Sequence, residues 1–503
     1  MRTGAVLAVA AALLGGLLLP TPPRAVAEGG RGFTPAPPAW GPCENPVLVE
    51  AGARCAFVET PLDHARPDGE KIKLAVSRKA RLGPESRYQG VVVVNPGGPG
   101  APGLLTSTVG ALVPDGGGDD YDWIGFDPRG VGASRPSLSC VPDSHGYNRP
   151  AYVPTTPGVE RAWRQRSREY ARACGRGAGE LLHHMRTTDT AKDLEVIRRA
   201  LGVERINFYG FSYGTYLGQV YATLFPNRLR RTIFDGNVDP TRAWYRSNID
   251  QSVGFDRNID AYFDWVAEHD GVYGLGARGK DVEAAYRRQL ASLAAHPAGG
   301  RIGPAELTDV FLGAAYGVHQ WQPVTAAFAA WVHKGDSQPL VDLYGTPPFN
   351  DNAHAVYLAV VCTDGPWQRD YHRYRADMWR TFARAPFAAW QNAWYNAPCL
   401  TWPAAPGTPV QVDGRGVESA LLINETFDAA TPFSGALEVR ERFPTAVLVE
   451  GAGGTTHAGS LSGVACVDNA VATYLKTGQL PPRNPTARAD LTCDPVPRPT
   501  PSP

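Results

Sequence analysis

The 503-residue chain has no excess of either charge. Its 49 lysine and arginine residues are balanced by 49 aspartate and glutamate residues. A protein that attracts nucleic acid or an anionic membrane through its overall field carries a basic excess. The composition therefore argues against nucleic acid as a partner, and we expect any ligand to be recognised by a local site.

Motifs for metals and phosphates are also lacking. The sequence contains no C-x-x-C or H-x-x-x-H cluster, so zinc is not expected. The glycine-containing segment D-P-R-G-V-G-A-S at 127–134 lacks the lysine of a phosphate-binding G-x-x-x-x-G-K-[ST] loop. We interpret Asp127 and Arg129 as structural residues that fix loops beside a site. We predict neither a metal nor a cofactor.

One apolar run at the N-terminus resembles a targeting signal. Arg2 precedes the uncharged run at 5–19, and the small residues A-V-A follow at 25–27. The run is short for a membrane span, and three prolines at 20–23 interrupt its end. This pattern predicts a signal peptide at 1–27. We therefore expect a secreted, extracellular protein that begins near Glu28 and has no membrane association after cleavage.

Cysteine is present in an even number. Eight cysteines fit an oxidising compartment, although eight allow 105 different pairings. We expect disulfides between cysteines that are close in sequence. The predicted pairs are Cys43 with Cys55, Cys140 with Cys174, Cys362 with Cys399, and Cys466 with Cys493.

Short apolar runs alternate with helical patterns along much of the chain. The runs are rich in β-branched residues, are bounded by turn residues, and occur at 73–77, 90–95, 121–127, 205–209, 231–235, 419–424 and 446–450. Helical patterns at 187–201 and 215–222 lie between some of them. This alternation predicts an α/β fold with a mostly parallel, doubly wound sheet.

A central segment interrupts the alternation. Residues 239–408 have a helical pattern and contain nine of the twelve tryptophans. We predict a helical cap, inserted between core segments at 28–238 and 409–485, and we expect substrate specificity to lie in this tryptophan-rich cap. Residues 486–503 form a proline-rich tail, of which 494–503 are predicted to be disordered.

The segment G-F-S-Y-G at 210–214 has the form G-x-S-x-G. It lies between a predicted strand and a predicted helix, which is the context of a nucleophile elbow. Glycine two positions before and after the serine permits a strained turn that exposes the side-chain oxygen. Ser212 is therefore the candidate nucleophile.

A serine nucleophile needs a base and an acid that orients the base. Of eleven histidines, only His457 follows the last two predicted core strands, so it is the predicted base. Asp428, four residues past a strand end, is the expected acid. Glu425 and Asp235 remain alternatives, because each also lies at a predicted strand end.

Acyl transfer also needs hydrogen-bond donors for an oxyanion. The backbone N–H of Tyr213, which follows the nucleophile, is one candidate. The other should come from the turn N-P-G-G-P-G at 95–100, where the prolines have no N–H. Among its glycines, position in the motif favours Gly98, and we expect Gly97 to contact substrate.

Together, these features resemble the α/β-hydrolase serine peptidases of the proline-iminopeptidase-like group. Within that group, the sequence is most similar to the secreted bacterial tripeptidyl aminopeptidases with a TAP-like C-terminal region. The turn at 95–100, the segment at 127–134, the elbow, the segment D-A-A-T-P at 428–432 and His457 carry the resemblance.

Two local departures from the family pattern occur. Ala429 stands where the family often has a proline after the acid. Threonines at 455 and 456 and Ala458 surround His457, where the family commonly has G-H-G. Both differences concern loop geometry and leave the catalytic groups in place.

The resemblance implies a serine exopeptidase that releases short peptides, expected to be tripeptides, from the free N-termini of peptides or proteins. Such an enzyme must bind an ammonium group, and carboxylates in or under the cap are the natural ligands. Asp364 is the first candidate and Glu425 the second. We expect the protein to be a monomer.

Two other functions are compatible with parts of the pattern. A secreted carboxylesterase or lipase would use the same triad. A non-enzymatic binding module with a hydrolase fold is less compatible, because serine, acid, histidine and oxyanion turn are all retained. Serine in the elbow, rather than aspartate, argues against an epoxide or haloalkane hydrolase.

Overall fold

The structure is a computed structural model, and it describes residues 33–345 and 350–501. The predicted signal peptide at 1–27 lies outside the described residues. Within the described part, no helix is long and apolar enough to cross a membrane.

A ten-stranded sheet forms the centre of the described chain. Its strands are β1 (Gly41–Pro42), β2 (Arg54–Pro61), β3 (Lys71–Lys79), β4 (Val91–Asn95), β5 (Asp122–Phe126), β6 (Ile206–Phe211), β7 (Leu229–Asp235), β8 (Ser419–Glu425), β9 (Ala446–Gly451) and β10 (Leu491–Cys493). Their spatial order is β1-β2-β3-β5-β4-β6-β7-β8-β9-β10. The pairs β1–β2, β2–β3 and β3–β5 are antiparallel. The other neighbouring strands are parallel.

Both faces of the sheet are covered. Along β4, Val91 and Val93 pack into one hydrophobic core, while Val92 and Val94 pack into the other. This alternation follows from the two-residue period of a strand, and two covered faces explain why the run is apolar throughout. The predicted α/β-hydrolase fold with a mostly parallel sheet is confirmed.

Helices flank and extend this sheet. They are α1 (Pro46–Glu50), α2 (Pro157–Gly177), α3 (Thr187–Ala200), α4 (Tyr213–Leu224), α5 (Tyr245–Glu268), α6 (Asp270–Tyr273), α7 (Gly279–Leu293), α8 (Pro304–Tyr316), α9 (Trp321–Lys334), α10 (Gln338–Gly345), α11 (Asp351–Val361), α12 (Tyr371–Phe382), α13 (Ala389–Asn396), α14 (Phe433–Arg442) and α15 (Ala465–Thr477). The helices α5 to α13 lie between β7 and β8 in the chain. We call this segment the helical insertion, and the boundaries 239–408 remain a prediction.

The tryptophans of the insertion mainly fill its interior. Seven of the nine are less than 9% exposed, and they join the two cores that cover the sheet. For example, Trp390 and Trp394 belong to the same core as Val91, while Trp265 and Trp321 belong to the same core as Val92. Because most of these rings are buried, they mainly stabilise the insertion, and the expectation that substrate specificity lies in this insertion stays a prediction.

Residues 494–501 follow strand β10 and make defined contacts, so the disorder predicted there is wrong. Strand β10 pairs with β9, and Cys493 is bonded to Cys466. Beyond β10, Val496 is buried, and the Trp265 Nε1–H donates to the Pro499 carbonyl at 3.1 Å. Strand pairing, a disulfide and buried contacts outweigh the proline-rich composition that predicted disorder.

Four disulfides connect cysteines that are close in sequence. The bonded pairs are Cys43–Cys55, Cys140–Cys174, Cys362–Cys399 and Cys466–Cys493, and each agrees with the sequence-local pairing. Such bonds persist in oxidising compartments.

Asp127 and Arg129 are structural residues, as predicted. The carboxylate of Asp127 accepts hydrogen bonds from the Gly103 N–H at 2.7 Å and the Ala133 N–H at 2.9 Å. The Arg129 guanidinium forms a buried ion pair with Asp193 at 2.7 Å. Asp127 thereby fixes the loop that follows the glycine-proline turn.

Candidate active site

Ser212 occupies a strained turn between β6 and α4. Its φ is 55° and its ψ is −126°, a conformation that non-glycine residues rarely adopt. A Cβ atom on Gly210 would lie 2.5 Å from the Gly214 carbonyl oxygen, and one on Gly214 would lie 2.5 Å from the Asn95 carbonyl oxygen. Glycine is therefore required at both positions for this turn to form.

Hydrogen bonds hold the backbone of Ser212 on both sides. Its N–H donates to the Asp235 carbonyl at 2.9 Å, and its carbonyl accepts from the Thr215 N–H at 2.8 Å. The Thr215 Oγ1–H also donates to that carbonyl at 2.7 Å. These bonds stabilise the strained residue at the end of the sheet.

The glycine-proline turn packs directly against the elbow. A Cβ atom on Gly97 would lie 2.8 Å from the Ser212 Cβ and 3.1 Å from the Tyr213 nitrogen. The Gly97 N–H donates to Asn95 Oδ1 at 3.1 Å, whereas Gly98 is exposed. This arrangement favours Gly98 and Tyr213, at the first position of α4, as the oxyanion donors.

The structure brings Asp428 to His457. The two carboxylate oxygens of Asp428 lie 2.8 and 3.0 Å from His457 Nδ1, and Asp428 is buried. A carboxylate at Nδ1 leaves Nε2 as the nitrogen that exchanges a proton with a nucleophile. Among the three candidate acids, Asp428 is the one bonded to the predicted base.

Asp235, an alternative acid, has a different partner. Its carboxylate accepts hydrogen bonds from the N–H and the hydroxyl of Ser460. Burial raises the pKa of Asp235 to about 6. Asp235 therefore supports the segment that follows His457.

Glu425, the other alternative acid, is also bonded elsewhere. Its carboxylate accepts hydrogen bonds from the Thr456 N–H and from the Val496 N–H, and burial raises its pKa to about 7. Each of the two carboxylate oxygens of Glu425 thus accepts a backbone N–H. That Glu425 binds the substrate ammonium stays a prediction.

Asp364 is likewise an internal residue. It accepts hydrogen bonds from the Thr187 N–H at 2.7 Å, the Thr187 hydroxyl at 2.7 Å and the Trp244 Nε1–H at 2.9 Å. Burial raises the pKa of Asp364 to about 6. These contacts engage both carboxylate oxygens of Asp364, and its role as an ammonium ligand stays a prediction.

Asp428 strengthens His457 as a base. Burial lowers the pKa of His457, but the charge of Asp428 and its hydrogen bond outweigh burial, so the pKa lies above its usual value. The carboxylate thus stabilises the imidazolium that forms when His457 accepts a proton.

Ser212 and His457 lie at the same end of β7. The Asp235 carbonyl accepts the Ser212 N–H, and the next residue, Gly236, packs against the His457 ring. A Cβ atom on Gly236 would lie 2.9 Å from His457 Cε1. The nucleophile and base candidates therefore meet at the carboxyl edge of the sheet, where open α/β sheets bind ligands.

Thr431 completes the acid loop and was not identified from the sequence. Its hydroxyl donates to Asp428 Oδ2 at 2.7 Å, and its N–H donates to Asp428 Oδ1 at 2.9 Å. Thr431 Oγ1 is also 3.2 Å from His457 Nδ1. The spacing of three residues from the acid, typical of side-chain-to-backbone turns, was the available signal.

The helical insertion also holds the loop of the base. The His457 N–H donates to the Tyr316 carbonyl at 2.9 Å, and the two rings lie edge to face with centroids 5.9 Å apart. The Asn258 side-chain amide donates to the Ala315 and Thr455 carbonyls, both at 3.1 Å. No local sequence signal predicts these contacts, because the partners are more than 50 residues apart.

Comparisons with known proteins show the family of the chain. Residues 90–276 match the alpha/beta hydrolase fold family, and residues 385–489 match the TAP-like protein family. A tripeptidyl aminopeptidase of Streptomyces lividans is 40% identical, over 92% of this chain and 87% of that protein. In Mycobacterium tuberculosis, serine protease Hip1 is 30% identical over 89% of this chain and 90% of that protein, and carboxylesterase B is 31% identical over 93% and 95%. The chain therefore belongs to the α/β-hydrolase family that includes these tripeptidyl aminopeptidases, and it carries their TAP-like C-terminal region.

Proposed function

We propose that the protein is a secreted serine exopeptidase that releases short peptides, chiefly tripeptides, from free N-termini. The observation that carries this proposal is the bond between His457 Nδ1 and the buried Asp428, at the same end of the sheet as the strained Ser212. The 40% identity to a tripeptidyl aminopeptidase over most of both chains supports the exopeptidase assignment.

In this mechanism, Ser212 Oγ attacks the scissile carbonyl carbon while His457 Nε2 takes the hydroxyl proton. The N–H groups of Gly98 and Tyr213 stabilise the oxyanion that forms. The C–N bond then breaks as His457 returns the proton to the leaving amine. Water, activated by His457, hydrolyses the acyl-enzyme and regenerates Ser212.

Aromatic side chains beside the triad support peptide binding. Tyr316, at the end of α8, is 39% exposed while its ring packs against His457. Phe427, next to the acid Asp428, is 37% exposed. Large rings exposed beside a catalytic group are suited to contact substrate side chains. The surface that selects substrate is thus assigned to these rings, whereas the insertion's tryptophans are mainly buried.

An extracellular location is part of the proposal. The four disulfides are consistent with an oxidising compartment. The N-terminal pattern at 1–27 supports export, and N-terminal sequencing of the secreted protein tests it. We expect the mature chain to begin near Glu28, and recovery of the protein with an intact N-terminus would contradict signal cleavage.

The exopeptidase activity is tested with Ala-Ala-Pro-arylamide, with a free or a blocked N-terminus. We expect cleavage of the free substrate, with the tripeptide as product by mass spectrometry. Equal cleavage of both substrates would exclude the aminopeptidase assignment. Ser212→Ala, prepared in parallel, controls for a contaminating peptidase.

A carboxylesterase is the second candidate, favoured by the 31% identity to carboxylesterase B over 93% of the chain. The matched test compares an Ala-Ala-Pro ester with the corresponding amide. Ester turnover with negligible amide turnover would favour the esterase. Labelling of Ser212 by a fluorophosphonate distinguishes both enzymes from a non-enzymatic binding module, which would remain unlabelled.

A further inference from the structure

Glu425 connects the loop of the base to the C-terminal tail. It is the last residue of β8, three positions before Asp428, and it is 5% exposed. One carboxylate oxygen accepts the N–H of Thr456, the residue before His457. The other accepts the Val496 N–H at 2.6 Å. A single buried carboxylate thus joins two segments that lie far apart in sequence.

The loop that carries His457 is shaped around this carboxylate. A Cβ atom on Gly454 would lie 2.3 Å from the Glu425 Cδ, and one on Gly451 would lie 2.9 Å from the Glu425 Cγ. Neither glycine has a positive φ, so close approach alone accounts for the need for glycine there. The backbone at 451–456 therefore wraps tightly around Glu425.

The tail reaches this point in a defined position and continues onto the helical insertion. The Cys466–Cys493 bond and the β10–β9 pairing anchor it before Val496. After Val496, the Arg498 guanidinium lies over the Trp321 ring, 5.6 Å from its centroid. The Val496 N–H, which donates to Glu425, therefore lies between two anchored parts of the tail.

We propose that Glu425 is a positioning residue for His457. Its carboxylate ties the backbone before His457 to the anchored tail, and this tie keeps the imidazole aligned between Ser212 and Asp428. Small displacements of a catalytic group lower the rate strongly, because proton transfer requires aligned atoms. The inference rests on the serine-hydrolase chemistry of the proposed function and not on its peptide specificity.

The test is Glu425→Gln, which keeps the size of the side chain but replaces one acceptor oxygen with an N–H donor. One backbone N–H then faces another donor and loses its bond. We expect kcat and the rate of Ser212 phosphonylation by a fluorophosphonate to fall about ten- to a hundred-fold, with KM within about two-fold. Unchanged kcat and labelling rate in the folded variant would overturn the proposal.

Asp490→Asn is the matched control. The Asp490 carboxylate is also buried and also accepts two backbone N–H groups, from Leu448 at 2.8 Å and from Asn484 at 2.6 Å. It has no contact with the loop of His457 among its hydrogen bonds in the described chain. We expect a lower melting temperature but an unchanged kcat. Equal losses of kcat in both variants would show a general loosening and overturn the proposal.

The contribution of the tail is tested at Val496. Val496→Pro removes the N–H that Glu425 accepts, whereas Val496→Ala keeps the N–H and removes buried side-chain atoms. We expect kcat and the phosphonylation rate to fall in the proline variant alone, and equal rates in both would contradict the tie to the tail. Phosphonylation needs no peptide, so loss of the peptide assay alone would count against the proposed function and not against this inference.

Discussion

The two loops that carry the nucleophile and the base are held in different ways. Ser212 is held largely within its own turn, through the glycines at 210 and 214 and the bonds from Thr215, and its N–H adds one bond to Asp235 of the adjacent strand β7. The loop of His457 is held from a distance, by Tyr316 and Asn258 of the helical insertion and by Glu425 at the end of β8. The nucleophile is thus positioned by local geometry, and the base by tertiary contacts.

This difference predicts how the two loops respond to substitution. Changes in the insertion or the tail should alter the position of His457 while the elbow stays intact. Substitution of a triad residue should abolish turnover, whichever of the two loops carries that residue.

Ser212→Ala removes the attacking oxygen. We expect kcat on the arylamide to fall about a million-fold, because the triad acts as a unit. The melting temperature should be essentially unchanged, since the alanine keeps the backbone bonds that hold the elbow. Turnover close to that of the unmodified protein would show that Ser212 is not the nucleophile.

Asp428→Asn removes the charge beside His457 while preserving the shape of the side chain. We expect a loss of about ten-thousand-fold in kcat, because the neutral amide no longer orients and stabilises the imidazolium. Asp235→Asn is the matched control, because Asp235 is bonded to Ser460. The reverse ranking in a steady-state assay would show that Asp235 is the acid.

Asn258→Leu removes the amide that bridges the end of α8 and the loop of His457. We expect a decrease of about ten- to a hundred-fold in kcat, since the base becomes less well aligned. The lost bonds should also lower the free energy of unfolding by about 1–3 kcal/mol, measured by denaturant titration.

Asn248→Leu is the control for this variant. Asn248 is a buried amide on the same helix, and its Nδ2 group donates to Asn396 rather than to the loop of the base. The Asn248→Leu variant should have a lower free energy of unfolding but little change in kcat. Similar kcat losses in both variants would mean that the insertion affects the site only through overall stability.

Thr431→Val removes a hydroxyl that donates to Asp428. We expect a loss of about ten-fold in kcat, smaller than for the acid itself, because the carboxylate and its bond to His457 remain. Thr431→Ser keeps the hydroxyl and should retain most of the activity. Equal activity of the valine and serine variants in initial-rate measurements would exclude this role.

The pH dependence provides the smallest of these effects. His457 must be neutral to accept the proton of Ser212, so kcat/KM should rise with pH. Because Asp428 raises the pKa of His457, the half-maximum should lie above the usual histidine value of about 6.5. Asp428→Asn should shift the residual half-maximum to lower pH. A shift to higher pH in a pH–rate profile would contradict this account.

Much of the core and of the catalytic geometry could be predicted from the sequence. The runs at 90–95 and 205–209 predict covered strands, because both of their faces are apolar. Ser212, Asp428 and His457 follow predicted strand ends, and parallel strands bring such ends to one edge. The bond between Asp428 and His457 agrees with this reasoning.

The roles of other charged and aromatic residues could not be predicted in the same way. Asp364 and Glu425 are carboxylates in plausible places, but whether they face substrate depends on which backbone N–H groups approach them. The tryptophans of the insertion indicated a recognition surface, whereas packing buries most of them. Composition does not distinguish a buried ring from an exposed one.

Local sequence patterns specify the catalytic groups of this protein, namely a strained serine turn, an acid and a histidine after successive strands, and a nearby glycine turn. These features depend on short-range backbone geometry and strand order, which neighbouring residues specify. The contacts that hold His457 are visible in the folded protein alone, because Tyr316, Asn258 and Glu425 reach its loop across more than 25 residues of sequence. Contacts of that kind arise from packing, and no local pattern encodes them.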